Sequence, residues 1–252
     1  VGHARSFHHF TPGRFYGHTP PDVGILAFVH DAVGEGEKAF IAGADIAQKI
    51  GTKSKMIIPR GIPDDWNLKI PGAHNRLNAA YALEVLRLLN VKDDQAKKSI
   101  TSYAGLEGRL NLVADIGGVK IYNDSNATTP AAAIAALKSF EKKKILLIAG
   151  GADKNLEIEE MAAVMKDYAR QMAFLKGSGT ERLAKFFPDA PIFDNLEKAF
   201  YYIINLSKPG DALILSPGFA SFGMFKNEYD RGDQFEALVR SRQKSQKAAA
   251  NV

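Results

Sequence analysis

The feature that most constrains the fold is a regular alternation of short apolar segments and amphipathic segments, which begins near residue 106. The apolar segments have the length of strands, and each ends in a polar or glycine-rich loop: VKIYND (119–124), KILLIAGG (144–151), MAFLKGS (172–178), PIFDN (191–195) and ALILSPG (212–218). Helical patterns lie between them at about 130–140, 157–170, 180–187 and 195–206, with a last one from about 233. Such alternation predicts an α/β fold, in which a mostly parallel sheet is covered by helices on both faces.

The part of the chain before residue 106 has a different pattern of predicted strands and helices. AFIAG (39–43) and SKMIIP (54–59) are typical of short strands around a helix-like segment at 44–50. Apolar residues at helical spacing predict a helix over 74–90, a second follows at about 93–103, and GLEGR (105–109) predicts a hinge. We therefore predict three parts: an irregular leader at 1–37 that is foreign to the rest, a partial domain at 38–105, and a Rossmann-like C-terminal domain at 106–252.

Composition excludes several classes of protein. The 252 residues contain no cysteine, so disulfides and thiolate chemistry are excluded and a cytoplasmic location is favoured. No apolar run could cross a bilayer, and the first residues lack the apolar middle of a signal peptide. The net charge of +5 suits an anionic small molecule, but the cations are dispersed, so we predict neither a nucleic-acid nor a membrane partner.

Histidines are concentrated at the beginning of the chain. Five of the six lie within residues 1–36: His3, His8, His9, His18 and His30. Their spacing fits no known pattern of metal ligands, and no cysteine or close pair of carboxylates accompanies them. We therefore predict no metal site there.

The loop after the first strand of the alternation carries more polar side chains than a strand-to-helix turn requires. Six can form hydrogen bonds: Asn123, Asp124, Ser125, Asn126, Thr128 and Thr129. Thr129 occupies the position of a helix N-cap, and Pro130 occupies the first helical position. A helix start offers free N–H groups and partial positive charge, so this loop predicts a binding site for a carboxylate or a phosphate.

Two further loops follow strands of the same predicted sheet. AGGADKN (149–155) pairs two glycines with Lys154, although a turn with a surface lysine would look similar. The stretch 215–235 presents Ser221 and Phe222 before a cluster of charges, and its alternative interpretation is a charged surface helix with buried phenylalanines. Since the carboxyl ends of parallel strands meet at one edge, we expect the three loops to lie together.

These motifs resemble the Mur ligases of peptidoglycan synthesis over about residues 70–245. The similar segments are IPGAHNRLNAAYAL (70–83), LEGRL (106–110), YNDSNATTP (122–130), LIAGGADKN (147–155) and SPGFASFGMFKNEYDRGDQF (216–235). The last segment is the most specific, and it is most similar to the members of the family that add D-glutamate to UDP-N-acetylmuramoyl-L-alanine.

The resemblance implies an ATP-dependent ligase with a UDP-binding domain, a central ATPase domain, to which 38–105 would belong, and a C-terminal domain that brings the amino acid. It implies ATP and Mg²⁺ as cofactors, an acyl-phosphate intermediate, and a role in cell wall biogenesis. By motif position, the implied nucleotide-binding residues are His74, Asn75, Asn78, Arg109 and Asp124. The implied substrate-binding residues are Asn126, Thr128, Lys154, Ser221 and Phe222.

The chain also departs from the family pattern. The Gly-x-x-Gly-Lys-Thr/Ser phosphate loop occurs nowhere in it, and no segment resembles the UDP-binding domain. We therefore expect a fragment that does not turn over ATP alone, with no catalytic residue assigned in it. The alternatives are a non-catalytic anion-binding remnant of a ligase, or a related Mur or folylpolyglutamate-type ligase.

Overall fold

The structure, a computed structural model, describes residues 27–29, 39–41 and 55–250. The predicted helix-like segment at 44–50 and the five N-terminal histidines lie outside these residues. In the described part, a small sheet contains β1 (Ala27–Val29), β2 (Ala39–Ile41) and β3 (Lys55–Ile57). β1 and β2 are antiparallel, whereas β2 and β3 are parallel. Because β1 lies within the segment predicted as an irregular leader, that segment is not irregular throughout.

Two helices connect the small sheet to the rest: α1 (Ala73–Leu88) and α2 (Asp93–Ser102). They pack against each other through a separate apolar cluster that includes Trp66, Ala80, Leu83 and Ala96. Both helices were predicted from the sequence to within two residues.

The main sheet follows. Its strands are β4 (Asn111–Ile116), β5 (Val119–Asn123), β6 (Ile145–Ala149), β7 (Ala169–Leu175), β8 (Ile192–Phe193) and β9 (Ala212–Leu215). The helices are α3 (Pro130–Leu137), α4 (Glu159–Tyr168), α5 (Ser178–Leu183), α6 (Leu196–Asn205) and α7 (Glu228–Ala250). Within the described residues the strand order is β4-β5-β9-β6-β7-β8. Only the β4–β5 pair of this sheet is antiparallel, so the predicted mostly parallel α/β fold is confirmed.

Helices cover both faces of the main sheet, as the alternation predicts. On one face α3 and α4 bury residues such as Leu137 and Met161 against β6 and β9. On the other face Phe200 of α6 and Phe235 of α7 pack against the alternate residues of the same strands. The central strand β6 is buried along its whole length, which explains why ILLIA reads as a continuous apolar run.

The largest differences from the sequence prediction concern β4 and the last helix, whereas α5 ends four residues earlier than predicted. β4 was not predicted, because its burial is incomplete and its apolar residues do not form an uninterrupted run. The last helix begins at Glu228 rather than near 233, because its first turn is polar on the outside while Arg231 is buried inside.

Candidate functional site

Parallel strands of the main sheet end together at one edge. Asn123 of β5 and Ile148 of β6 both pair with Leu215 of β9. Three loops leave this edge: the first loop (124–129), the second loop (150–158) and the third loop (216–227). We call these three loops the rim.

Hydrogen bonds join the three loops to one another. The Gly218 amide of the third loop donates to the Ala127 carbonyl of the first at 2.8 Å. Ala152 of the second loop and Ala220 of the third form an antiparallel bridge, with N–H···O distances of 2.9 and 3.0 Å. The rim is therefore one connected structure, and the loops meet as we expected from the topology.

Two glycines make this close approach possible. A Cβ atom at Gly151 would lie 2.3 Å from the Ala220 carbonyl oxygen, and the φ angle of Gly151 is +144°. A Cβ atom at Gly179, in the first turn of α5, would lie 2.2 Å from the ring of Phe219. Only a residue without a side chain lets the backbones approach this closely.

Asp124 opens the first loop and is 7% exposed. One carboxylate oxygen accepts from the Leu110 amide at 3.0 Å, and the other accepts from the Ser216 hydroxyl at 2.7 Å. Burial raises the pKa of Asp124 to about 7, although both hydrogen bonds and the nearby charge of Arg109 oppose the rise. Asp124 therefore titrates near neutral pH, and it ties the turn before β4 to the first and third loops.

Arg109 and Asn126 lie beside this carboxylate. Arg109 is exposed, and its positive charge acts on Asp124. The Asn126 amide donates to the Gly108 carbonyl at 2.9 Å, while the side-chain oxygen of Asn126 is buried without a partner among the described residues. The first loop thus keeps one free acceptor next to an exposed cation.

Lys154 of the second loop reaches the first loop. Its ammonium group donates to the Thr128 hydroxyl at 2.9 Å, and its side chain is exposed. The neighbouring Asp153 is held by Arg182 at 2.9 Å, and Lys154 forms no salt bridge in the part of the chain that the structure describes. Lys154 is therefore a positive charge without an acidic partner at the rim.

The Lys154–Thr128 contact lies at the start of α3. Thr129 caps this helix by accepting from the Ala132 amide at 3.4 Å, and Pro130 follows as the first helical residue. A narrow crevice adjoins them. It is lined by Pro130, Asp153, Lys154, Leu156, Ile158, Gly218 and Phe219. A cation, a hydroxyl group and a helix N-terminus thus converge, which is the chemistry that binds a carboxylate.

Ser221 and Phe222 lie in the third loop, one residue beyond the bridge to the second loop. Ser221 is buried, whereas the ring of Phe222 is 65% exposed. An exposed ring beside a buried hydroxyl gives this side of the rim an apolar surface that a ligand could cover.

The three predicted residues on α1 lie elsewhere. Gly72, which precedes α1, packs against Ser139 beyond the far end of α3. Asn75 and Asn78 line a separate, mainly apolar cavity of about 330 Å³ between α1 and α2, and burial lowers the pKa of His74. Among the described residues, no hydrogen bond or salt bridge joins His74, Asn75 or Asn78 to the rim.

Two buried polar groups at the rim were not assigned as site residues from the sequence, although Arg231 was included in the charge cluster after Phe222. Glu236 of α7 accepts from the Asn123 side chain at 3.1 Å, and the Arg231 guanidinium lies fully buried under the first and third loops. Both lie in the first turns of α7, where alternation of charged and apolar residues resembles an ordinary surface helix. The signal that could have found Arg231 is its position four residues before the apolar Phe235, on the same helix face, which must be buried.

Comparison with known proteins agrees with this arrangement. Residues 108–219 match the family described as "Mur ligase, glutamate ligase domain", a range that includes the first and second loops. UDP-N-acetylmuramoylalanine–D-glutamate ligase of Roseiflexus sp. (strain RS-1) is 38% identical over 185 residues, which are 71% of this chain and 39% of that protein. Seven further bacterial proteins of the same name are 32–37% identical.

The chain therefore contains a Mur ligase C-terminal domain, and the resemblance found in the motifs is confirmed. It spans about two fifths of the length of the ligases it matches, 39% for the first of them and 40% for the next.

Solved structures share the fold. MurC, the UDP-N-acetylmuramate-alanine ligase from Thermotoga maritima, has a TM-score of 0.52 and 18% identity, covering 69% of this chain and 39% of its own. Folylpolyglutamate synthase from Mycobacterium tuberculosis, complexed with ADP, has a TM-score of 0.57 and 14% identity, covering 77% and 51%. At these identities the likeness concerns the fold alone.

None of the helices that the structure describes combines the length and the hydropathy needed to cross a membrane.

Proposed function

We propose that this chain supplies the amino-acid-binding domain of an ATP-dependent ligase that joins D-glutamate to UDP-N-acetylmuramoyl-L-alanine. The observation that carries the proposal is the pairing of Lys154 with Thr128 at the start of α3, 2.9 Å apart, while the adjacent Asp153 pairs with Arg182 instead of Lys154. The names of the relatives support D-glutamate as the amino acid, because eight of them are D-glutamate ligases with 32–38% identity.

A dicarboxylic amino acid suits the chemistry of the rim. One carboxylate would accept from the Lys154 ammonium and the Thr128 hydroxyl, close to the positive end of α3. The other carboxylate would lie toward the third loop, where Ser221 offers a hydroxyl and Phe222 an exposed ring. The amine would then be free to attack an activated acyl group held by the remainder of the ligase.

The nucleotide would lie on the other side of the first loop. Arg109 is exposed there and can bind a phosphate, while the buried Asp124 can accept a hydrogen bond when it is ionised. ADP in the folylpolyglutamate synthase structure supports an adenine nucleotide as the energy source. In this proposal ATP phosphorylates the carboxylate of the acceptor, and the amine of D-glutamate displaces phosphate to form the amide.

The described residues do not fit a magnesium site. Among them no group of three or more histidine, aspartate or glutamate side chains could hold a metal ion. The Mg²⁺ that the family implies therefore has no ligands assigned in this chain, and no step of the proposal passes through it.

Calorimetric titration of the 252-residue chain with D-glutamate tests the proposal. We expect the chain to bind D-glutamate more tightly than L-glutamate, and we expect no ADP release when ATP and both substrates are added. Lys154→Ala should weaken D-glutamate binding about 10- to 100-fold, because it removes a charge-assisted hydrogen bond worth about 1.5–3 kcal/mol.

The matched control is Lys144→Ala. Lys144 is an exposed lysine that directly precedes β6, at the opposite end of the strand that leads to Lys154. Its removal should leave D-glutamate binding unchanged. Equal losses in the two variants, or the same affinity for both enantiomers of glutamate, would contradict the proposed site.

A further inference from the structure

Arg231 is the largest side chain that is fully buried among the described residues, with an exposed fraction of 0%. Its guanidinium donates to the Ser125 carbonyl of the first loop at 2.8 Å and to the Phe219 carbonyl of the third loop at 3.4 Å. The ring of Phe225 lies 5.9 Å from the guanidinium carbon. One side chain thus bridges two loops of the rim from below.

This guanidinium forms no ion pair within contact distance among the described residues, although the charge of Glu228 acts on it and opposes the fall of its pKa that burial causes. In the part of the chain that the structure describes, Arg231 forms no salt bridge, and its Nε has no hydrogen-bond partner. Burial lowers the pKa of Arg231 to about 10, so the group still carries its charge at neutral pH. Burying an unpaired cation opposes folding, and packing alone would be served better by an apolar side chain.

Neighbouring contacts attach the same end of α7 to the first loop. The Ser125 hydroxyl donates to the Glu228 carbonyl. A Cβ atom at Gly232 would lie 3.1 Å from the Asn123 side chain and 3.3 Å from Cβ of Ser125. The start of α7 therefore lies directly against the first loop, and Arg231 extends this attachment to the third loop.

The two carbonyls that Arg231 binds lie close in sequence to the proposed ligand groups. Ser125 is three residues before Thr128, and Phe219 is two residues before Ser221. In the proposed function one carboxylate of D-glutamate lies against the first of these loops and the second carboxylate against the other. The separation of the two loops would then determine which length of dicarboxylic acid fits between them.

We propose that Arg231 is a positioning residue that fixes the separation of the first and third loops and thereby selects the five-carbon D-glutamate over the four-carbon D-aspartate. This inference rests on the proposed function. The planar guanidinium can donate to both carbonyls at once, whereas a lysine ammonium is a point charge on a flexible chain and cannot hold the same two directions.

The experiment compares Arg231→Lys with the wild-type chain, using calorimetric titration with D-glutamate and D-aspartate. One methylene group in a fitted pocket corresponds to about 10- to 200-fold in selectivity, so we expect the wild type to prefer D-glutamate at least about tenfold. In Arg231→Lys this ratio should fall to about threefold or less. A loss of packing alone would weaken the binding of both acids and leave their ratio unchanged.

The matched control is Arg240→Lys, the same substitution on the exposed side of the same helix, where Arg240 pairs with Glu236. It should leave the ratio unchanged. An unchanged ratio in Arg231→Lys, or a parallel loss of both affinities together with a lower melting temperature, would overturn the inference. If Arg231→Lys does not fold, Arg231→Gln, which keeps one donor, takes its place with the same expected result.

Amide hydrogen exchange separates this inference from the proposed function. Arg231→Lys should accelerate exchange in residues 124–129 and 218–223 about tenfold or more relative to Arg240→Lys, while α1 exchanges as in the wild type. If the wild-type chain binds neither acid, the proposed function fails. In that case, faster exchange of residues 124–129 and 218–223 in Arg231→Lys still supports the bridging of the two loops by Arg231, whereas unchanged exchange overturns it.

Discussion

The two edges of the main sheet differ in how deeply their polar side chains are buried. At the carboxyl edge Asn123, Asp124 and Ser216 are buried, and their side chains bind other parts of the rim. At the amino edge the charged pairs are mostly exposed, as for Lys142 and Asp167, whose side chains are 60% and 62% accessible. Apart from the Arg170–Asp211 pair, whose side chains are 25% and 8% accessible, the same strands therefore end in a buried polar network on one side and in solvated ion pairs on the other.

The difference indicates which edge of the sheet has a role beyond connecting the strands and helices. Solvated pairs contribute little to stability and tolerate change, so the amino edge needs only to connect elements. A buried polar network is costly unless every group has a partner, and it orders the loops that contain it. At the rim that order keeps Lys154 and Thr128 in contact.

The largest effect should come from replacing a rim glycine. Gly151→Ala places a Cβ atom 2.3 Å from a backbone oxygen and requires a left-handed φ of +144° from a residue with a side chain. We expect a loss of about 3–5 kcal/mol in the free energy of unfolding, measured by urea denaturation. At the amino edge Gly210 has a φ of +90° but no atom within 4 Å of its Cβ position, so Gly210→Ala should cost only about 1 kcal/mol.

Similar losses at Gly151 and Gly210 would mean that the rim relaxes as easily as the amino edge. The contrast between the two edges would then not extend to packing.

The next effect should be a pH dependence that originates at the rim. Because the pKa of Asp124 is raised to about 7, the folded chain binds a proton that the unfolded chain releases at about pH 4. The free energy of unfolding should therefore fall as the pH rises from about 4 to 7 and then become constant. We expect this loss to be about 4 kcal/mol, measured relative to Asp124→Asn by denaturation at each pH.

The amino edge provides the control for this titration. A hydrogen bond from Lys142 lowers the pKa of Asp167, so its contribution changes only below about pH 4. Asp167→Asn should accordingly keep the wild-type slope between pH 4 and 7. A slope that persists in Asp124→Asn would assign the titration to another group.

The smallest effect should come from the two ion pairs. Asp153 of the second loop contacts Arg182 at 2.9 Å, and 15% of its side chain is exposed. Burial opposes the ionisation of Asp153, but the hydrogen bonds from Arg182 and from the Asn155 amide lower its pKa. Asp153→Asn should cost about 1 kcal/mol at pH 7, a contribution that the wild type loses as the pH falls below about 4. Asp167→Asn should cost less than Asp153→Asn, since its pair is solvated.

Equal costs for these two substitutions in a urea denaturation series would show that partial burial adds nothing to the ion pair at the rim.

Much of the main sheet could be predicted from local patterns. ILLIA and ALIL are buried on both faces, and such strands appear as continuous apolar runs between turn residues. β4 escaped prediction because it lies at an edge of the sheet, next to β5 alone, so burial does not impose an apolar residue at every position.

The sequence could indicate the residues of the candidate site, but not the contacts between them. Polar residues at strand ends identified Asp124, Lys154 and Ser221, because parallel strands bring their carboxyl ends to one edge. The sequence could not show that Ser216 binds Asp124, since the two are 92 residues apart. The resemblance also assigns Asn75 and Asn78 to the nucleotide together with Asp124, which stays a prediction; in the structure they line a cavity between α1 and α2.

The sequence alone determined the layered α/β architecture and the polar character of the three loops, because burial periodicity and turn chemistry act over a few neighbouring residues. Tertiary structure alone decided that Lys154 meets Thr128 and that Arg231 lies buried beneath the first and third loops. Those contacts depend on strand order, which places β9 between β5 and β6 and is set by the packing of distant segments.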